Sequence, residues 1–220
     1  MTKEEVLKFV TYCDEVMDFN VPGLGNHYNS LPLCIMDDVY SLRANYNTVI
    51  KLIGNYSEAF LNGDRYVAGH TLKEFINNID KVGDFYEFTR KYIGFFNKSC
   101  GRLKIELCYE LAKKLIDIGI NTLEDFQNYK NKFVLEYTIR SVKGLADAAV
   151  QYLFKLIGDT SQVKVDTHVM KSVRDSLGHD LSISETQMLY ALAVEIMQDK
   201  HPGLTVSRLD NIVWTYYHKR

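Results

Sequence analysis

The stretch TIRSVKGLADAAVQYLFKLIGDTSQVKVDTHVMKSVR, residues 138–174, carries the pattern on which the predicted fold depends. Apolar residues recur at helical spacing on both sides of Gly144, over residues 133–142 before it and 148–156 after it. A third helical pattern begins at Asp166. The stretch therefore predicts a helix, a tight corner and a second helix, with another helix shortly afterwards.

The corner consists of Lys143, Gly144, Leu145 and Ala146. A glycine at the centre of the corner lets the chain turn sharply. The first turn of the helix that follows leaves backbone N–H groups without intrahelical partners, and such a turn is suited to binding a phosphate. These four residues are therefore candidate phosphate-binding residues.

Further along, residues 165–169 read VDTHV. A helix-hairpin-helix followed by this motif resembles the helix-hairpin-helix DNA glycosylases of the endonuclease III and MutY superfamily. In that family the hairpin commonly reads leucine, proline, glycine, valine, glycine, and the later Val-Asp-Thr-His motif carries an essential aspartate. By this resemblance Gly144 takes the first hairpin glycine, Ala146 the second, Lys143 the usual proline and Asp166 the catalytic aspartate. The motifs cover roughly the last two-fifths of the chain.

The resemblance implies a hydrolase that excises a base in DNA repair. Asp166 would stabilise the positive charge that develops on the sugar and would orient or deprotonate the attacking water. Relatives that also cut the DNA backbone carry a lysine nucleophile four residues after the first hairpin glycine, and Ala148 stands at that position. A Schiff base cannot form there, so the resemblance implies a monofunctional glycosylase.

Two departures favour an alternative, a non-catalytic DNA-binding or interaction protein that retains the fold. Ala146 adds a methyl group where a phosphate approaches, and Asp147 places a negative charge on the helix turn that should attract an anion. Asp166 also has a structural explanation, because aspartate is a preferred N-cap and a helix begins there. His168 is expected to pack or to form hydrogen bonds. In a third interpretation the chain is a helical interaction domain and the motif match is accidental.

DNA binding would have to come from a local patch, because the formal net charge of the chain is −2 and its pI is near 6.3. Residues 138–174 hold six basic and three acidic side chains, a net charge of +3. We therefore expect weak binding of double-stranded DNA, with Lys143 and Lys171 among the contacts. The basic residues of the stretch are Arg140, Lys143, Lys155, Lys164, Lys171 and Arg174.

The resemblance, extended towards the N-terminus, suggests a second contact. Ser41, Leu42 and Arg43 lie where relatives carry residues that touch DNA or fill the gap left by a flipped base. Leu42 is a possible wedge and Arg43 a possible phosphate contact. The helical periodicity favours a buried Leu42 instead.

The cysteines indicate a protein with reduced thiols. None of the four shows Cys-x-x-Cys spacing, and none follows Cys108. Many relatives in the resembled family hold an iron–sulfur cluster on four cysteines after the catalytic aspartate, so no such cluster is expected here. We expect no cofactor and no metal site. Without a signal-like or membrane-spanning segment, the expected location is the cytoplasm, with no membrane association.

The rest of the chain predicts an all-α, two-lobed fold of about ten helices. Hydrophobic residues make up 46% of its 220 residues, and no strand-like alternation of useful length occurs. Capping-box sequences at Thr2, Thr71 and Ser182 each precede an apolar helical pattern.

We expect the 220 residues to form one unit of two lobes. Residues 33–130 form the first lobe, and residues 131–220 with 1–20 form the second, which holds the helix-hairpin-helix at 132–157. The VPGLG sequence at residues 21–25 also resembles a phosphate-binding hairpin. No helical pattern directly follows it, so a connector between the lobes is favoured.

Overall fold

The computed structural model describes residues 1–21 and 28–218. Over these residues the chain forms twelve helices and one pair of two-residue strands, so the all-α prediction is confirmed. The helices are α1 (Lys3–Val16), α2 (Leu31–Ser41), α3 (Tyr46–Phe60), α4 (Leu72–Asp80), α5 (Phe85–Phe88), α6 (Lys104–Asp117), α7 (Leu123–Asn128), α8 (Lys132–Arg140), α9 (Asp147–Leu156), α10 (Thr167–Leu177), α11 (Ile183–Met197) and α12 (Val206–His218).

Two short irregular elements lie between α5 and α6. A π-helical turn, Thr89–Ile93, continues directly from α5. The antiparallel strands β1 (Lys98–Ser99) and β2 (Arg102–Leu103) then form a tight hairpin ahead of α6.

Local sequence sets the start of three helices. At Thr2, Thr71 and Ser182 the hydroxyl accepts the backbone N–H three residues later, and the glutamate at that position accepts the N–H of the capping residue. These pairs satisfy donors that a helix end leaves unpaired. The three predicted capping boxes are confirmed.

The chain divides into two compact units, of which one is His27–Ile157. Its centre is α2, where Leu31 to Tyr40 are all buried, and α2 packs against α3, α6 and α9. The buried carboxylate of Asp37 accepts hydrogen bonds from the hydroxyls of Tyr28 at 2.8 Å and of Tyr152 at 2.9 Å. Burial, together with the Asp37 carboxylate, raises the pKa of both tyrosines, so both remain donors.

The other unit is formed by Met1–Asn26 and Gly158–Arg220. Here α10 and α11 each pack against both α1 and α12. The extended segment before α10 buries Val163 and Val165 in the core of this unit. The backbone N–H of Lys164 donates to the Asp210 carboxylate of α12 at 3.0 Å. These contacts fix the start of α10, where Asp166 lies.

The helix-hairpin-helix falls within the His27–Ile157 unit, where α8 and α9 pack against each other and α8 packs on α6. From the sequence alone, the helix-hairpin-helix was expected in the second lobe, residues 131–220 with 1–20. Helical periodicity identifies the buried face of a helix but not the helix that covers it. The observed grouping therefore could not be predicted from the sequence pattern. The VPGLG segment lies outside the described residues from Pro22 onward.

Candidate active site

The predicted corner joins α8 to α9. Its turn closes through a hydrogen bond from the backbone N–H of Leu145 to the carbonyl of Val142, at 3.0 Å. Gly144 has φ = +110°, a conformation that side chains rarely adopt. A Cβ atom at Gly144 would lie 3.1 Å from Leu107 Cδ2 and 3.2 Å from Ser99 Oγ. The backbone conformation therefore favours glycine here, and a side chain would also have to displace these two neighbours by a few tenths of an ångström.

The corner residues differ in what they present to solvent. Leu145 is only 4% exposed, so its side chain anchors the turn and only its backbone is available to a ligand. Lys143 and Ala146 are exposed. Ala146 is the N-cap of α9, has φ = −115° and makes no side-chain capping bond. Because that φ is open to any residue, Ala146 replaces the second hairpin glycine without backbone strain.

An ion-pair group that the sequence analysis missed lies beside the corner. The guanidinium of Arg140 donates to Asp147 at 2.8 Å and to Glu136 at 2.9 Å. The hydrogen bond to Asp147, followed by that to Glu136, raises the pKa of Arg140. The pairing reduces the negative charge of Asp147 on the first turn of α9, and it also occupies Arg140. The sequence gives a weak indication of one of these ion pairs, because Glu136 and Arg140 stand four residues apart on one helix.

Asp166 is the N-cap of α10, in the Met1–Asn26 and Gly158–Arg220 unit. Its Oδ1 accepts the backbone N–H groups of His168 at 2.9 Å and Val169 at 3.1 Å. Both capping bonds use this one oxygen, and the described part of the chain offers Oδ2 no hydrogen-bond partner. Asp166 is half-buried. The residue therefore caps its helix and still presents a carboxylate oxygen.

An aromatic group on α12 faces the start of α10. The His168 ring lies with its centroid 6.3 Å from Trp214 and 6.4 Å from Tyr217. Trp214 stacks on His218, with ring centroids 4.2 Å apart. This group was not predicted from the sequence, although Trp214 and His218 stand four residues apart on one helix.

Lys171, the predicted DNA contact on this unit, is exposed, and its ammonium group lies 5.0 Å from the centre of the Tyr217 ring. Arg174 instead binds the carboxylate of Asp180, with contacts of 2.7 to 3.0 Å. Arg140 and Arg174 are thus both held by carboxylates. The net charge of +3 overstates the positive charge that this stretch offers to a polyanion.

Leu42 and Arg43 form the turn after α2. Leu42 is partly buried and packs against the core, as its periodicity favoured. Its carbonyl accepts the ammonium group of the buried Lys104 at 2.6 Å. Arg43 is exposed and has φ = +53°, uncommon for a residue with a side chain. The predicted wedge and phosphate contact stay predictions.

Over residues 1–21 and 28–218, no three His, Cys, Asp or Glu side chains gather as they would around a metal ion. Every described helix is too short or too polar to cross a bilayer.

Two solved structures show the class of fold. A structure of MBOgg1 in complex with a low-affinity DNA ligand matches 86% of this chain and 60% of its own, with a TM-score of 0.59 and 15% identity. The Clostridium acetobutylicum 8-oxoguanine glycosylase/lyase, in complex with double-stranded DNA that carries cytosine opposite 8-oxoguanine, matches 99% of this chain and 66% of its own. Its TM-score is 0.57 and its identity 13%. The chain therefore has a DNA-glycosylase-like helical fold and spans less than two thirds of the length of these two proteins.

The sequence itself belongs to a family described as a domain of unknown function, DUF8548, whose model matches residues 8–218. No curated protein matches the chain significantly.

Proposed function

We propose that this protein is a monofunctional DNA glycosylase that hydrolyses the N-glycosidic bond of a flipped base through Asp166. The observation that carries the proposal is the geometry of that carboxylate. Two backbone N–H groups hold Oδ1 at the start of α10 while Oδ2 stays available. The glycosylase-like fold supports the same assignment.

In the proposed reaction the bond between the base and C1′ breaks, and the base leaves with the bonding electrons. The Asp166 carboxylate faces the positive charge that develops on the sugar. A water oxygen then bonds to C1′, and its proton passes to Oδ2 of Asp166. Because both capping bonds hold Oδ1, the carboxylate is oriented before the substrate arrives.

The aromatic side chains beside the start of α10 are the candidates for stacking on the flipped base. Flipped bases are gripped by stacking against aromatic side chains. His168 and Trp214 offer such rings, and His168 is two residues from Asp166. We therefore assign base stacking to these two residues.

The proposed DNA contacts are the backbone of Gly144 to Ala146, with Lys143 and Lys171 as phosphate-binding side chains. The uncapped first turn of α9 supports an anion at the corner. In the same proposal Leu42 fills the gap left by the flipped base and Arg43 contacts a phosphate.

The test is a panel of duplexes that contain uracil, oxidised purines or alkylated purines, resolved on a denaturing gel. Because Ala148 replaces the lysine nucleophile, we expect intact abasic strands that break only after alkali treatment. Borohydride should trap no covalent adduct. Strand cleavage without alkali would contradict the monofunctional assignment.

Asp147→Asn is expected to strengthen duplex binding by about threefold to tenfold. The change removes a negative charge from the first turn of α9 and weakens one of the two contacts that hold Arg140, so that a phosphate meets less repulsion there. The measurement is the dissociation constant for a labelled duplex at low salt. Glu124→Gln, the same charge change on an exposed residue of α7, is the control and should leave the affinity unchanged. If both variants bind the duplex with the same affinity, the charge of Asp147 does not weaken DNA binding.

A non-catalytic DNA-binding protein is the second candidate. The capping role accounts for Asp166 without any chemistry, since aspartate is preferred at that position for its capping bonds alone. Duplex binding without product across the whole panel would favour this candidate over the first.

A further inference from the structure

The outer face of α8 carries two unusually exposed rings. Phe133 is 76% exposed and Tyr137 is 67% exposed, the highest values among the large hydrophobic residues that the structure describes. They stand four residues apart, so their side chains are neighbours on one face of the helix. The opposite face already packs Leu135 and Ile139 into the core. The two exposed rings therefore add little to the core, and burying them would require a ligand.

The charge around these rings is positive, although the whole chain has a net charge of −2. Residues 130–147 hold four basic and two acidic side chains, a net charge of +2. Arg140 follows Phe133 by seven residues on the same helical face, but its guanidinium is held by Glu136 and Asp147. Lys143 lies just beyond, at the corner. The face is therefore complementary to a polyanion.

Aromatic rings beside basic side chains are typical of sites that bind single-stranded nucleic acid, where successive bases stack on the rings. A duplex hides the faces of its bases, so Phe133 and Tyr137 would find nothing to stack on along an intact duplex. A purely apolar protein partner would leave the surrounding positive charge unmatched.

We propose that the α8 face, formed by Phe133 and Tyr137 with Lys143 beside them, binds single-stranded DNA. The two rings stack on unpaired bases, and the Lys143 ammonium group contacts a phosphate of the same strand. This goes beyond base excision, because neither Asp166 nor a damaged base takes part.

The test is a titration of a fluorescently labelled oligothymidine of about 15 nucleotides, a length within the usual range of single-strand sites. Phe133→Ala with Tyr137→Ala should weaken binding about a hundredfold, at about tenfold for each stacked base. Both residues are exposed, so the variant should fold, and circular dichroism would verify this. Tyr86→Ala removes another exposed ring of the same unit and should leave the affinity unchanged.

Two further variants are informative: the first tests whether the rings alone are needed, and the second separates this site from the proposed glycosylase site. Phe133→Tyr with Tyr137→Phe keeps both rings and should retain binding to oligothymidine. Asp166→Asn should also retain it, whatever happens to base excision.

Three outcomes would overturn the proposal. In the first, the wild type binds no oligothymidine, and in the second, the double alanine variant binds as tightly as the wild type. In the third, sedimentation would show that the wild type self-associates and that the alanine variant is monomeric with unchanged DNA affinity. The face would then be an interface between copies of this chain.

Discussion

Asp166→Asn is expected to reduce base excision by at least about a hundredfold while the protein stays folded. The substitution keeps the size of the side chain and leaves an amide oxygen that can accept the same two N–H groups. It removes the negative charge that faces the sugar in the transition state. For one well-placed group that loss is about 3 kcal/mol, or about a hundredfold in rate.

The measurement combines single-turnover excision on the best duplex of the panel with thermal unfolding. Asp166→Ala serves as the companion variant, because it removes both the charge and the cap. We expect the alanine variant to lose activity and about 1 kcal/mol of unfolding free energy, whereas the asparagine variant loses activity alone. Wild-type excision rates in the asparagine variant would remove Asp166 from the mechanism.

Much of the local structure was predictable because its causes are local. The capping boxes at Thr2, Thr71 and Ser182 depend on residues three positions apart, so the sequence contains both partners. The corner at Gly144 is marked by the glycine between two helical patterns, and Asp166 by its place before a third.

The features that the sequence did not reveal depend on contacts between distant segments. Gly144 is crowded by Leu107 and Ser99, which lie far away in the sequence. Likewise, His168 meets Trp214 only because α10 packs against α12. Helical periodicity identifies the buried face of a helix, but only tertiary packing determines which other helix covers that face. For the same reason, the unit to which the helix-hairpin-helix belongs could not be predicted from the sequence.

Lys143→Glu combined with Lys171→Glu is expected to abolish measurable duplex binding. Of the six basic residues in 138–174, Arg140 and Arg174 are already held by carboxylates. The exposed Lys143 and Lys171 therefore carry a larger share of the attraction to phosphate. Each reversal removes a phosphate contact with its counterion release and adds a repulsion, so we expect at least about a hundredfold loss of affinity.

The measurement is the dissociation constant of a labelled duplex at several salt concentrations. In the milder variant, Lys143→Ala with Lys171→Ala, binding should remain measurable, and the slope of log affinity against log salt should shrink by about 2. Lys51→Glu with Lys73→Glu makes the same charge reversal on exposed residues of α3 and α4 and serves as the matched control. If both reversed pairs weaken binding equally, the effect is one of net charge. If neither does, the duplex binds elsewhere on the protein, and the phosphate-binding role assigned to Lys143 and Lys171 is wrong.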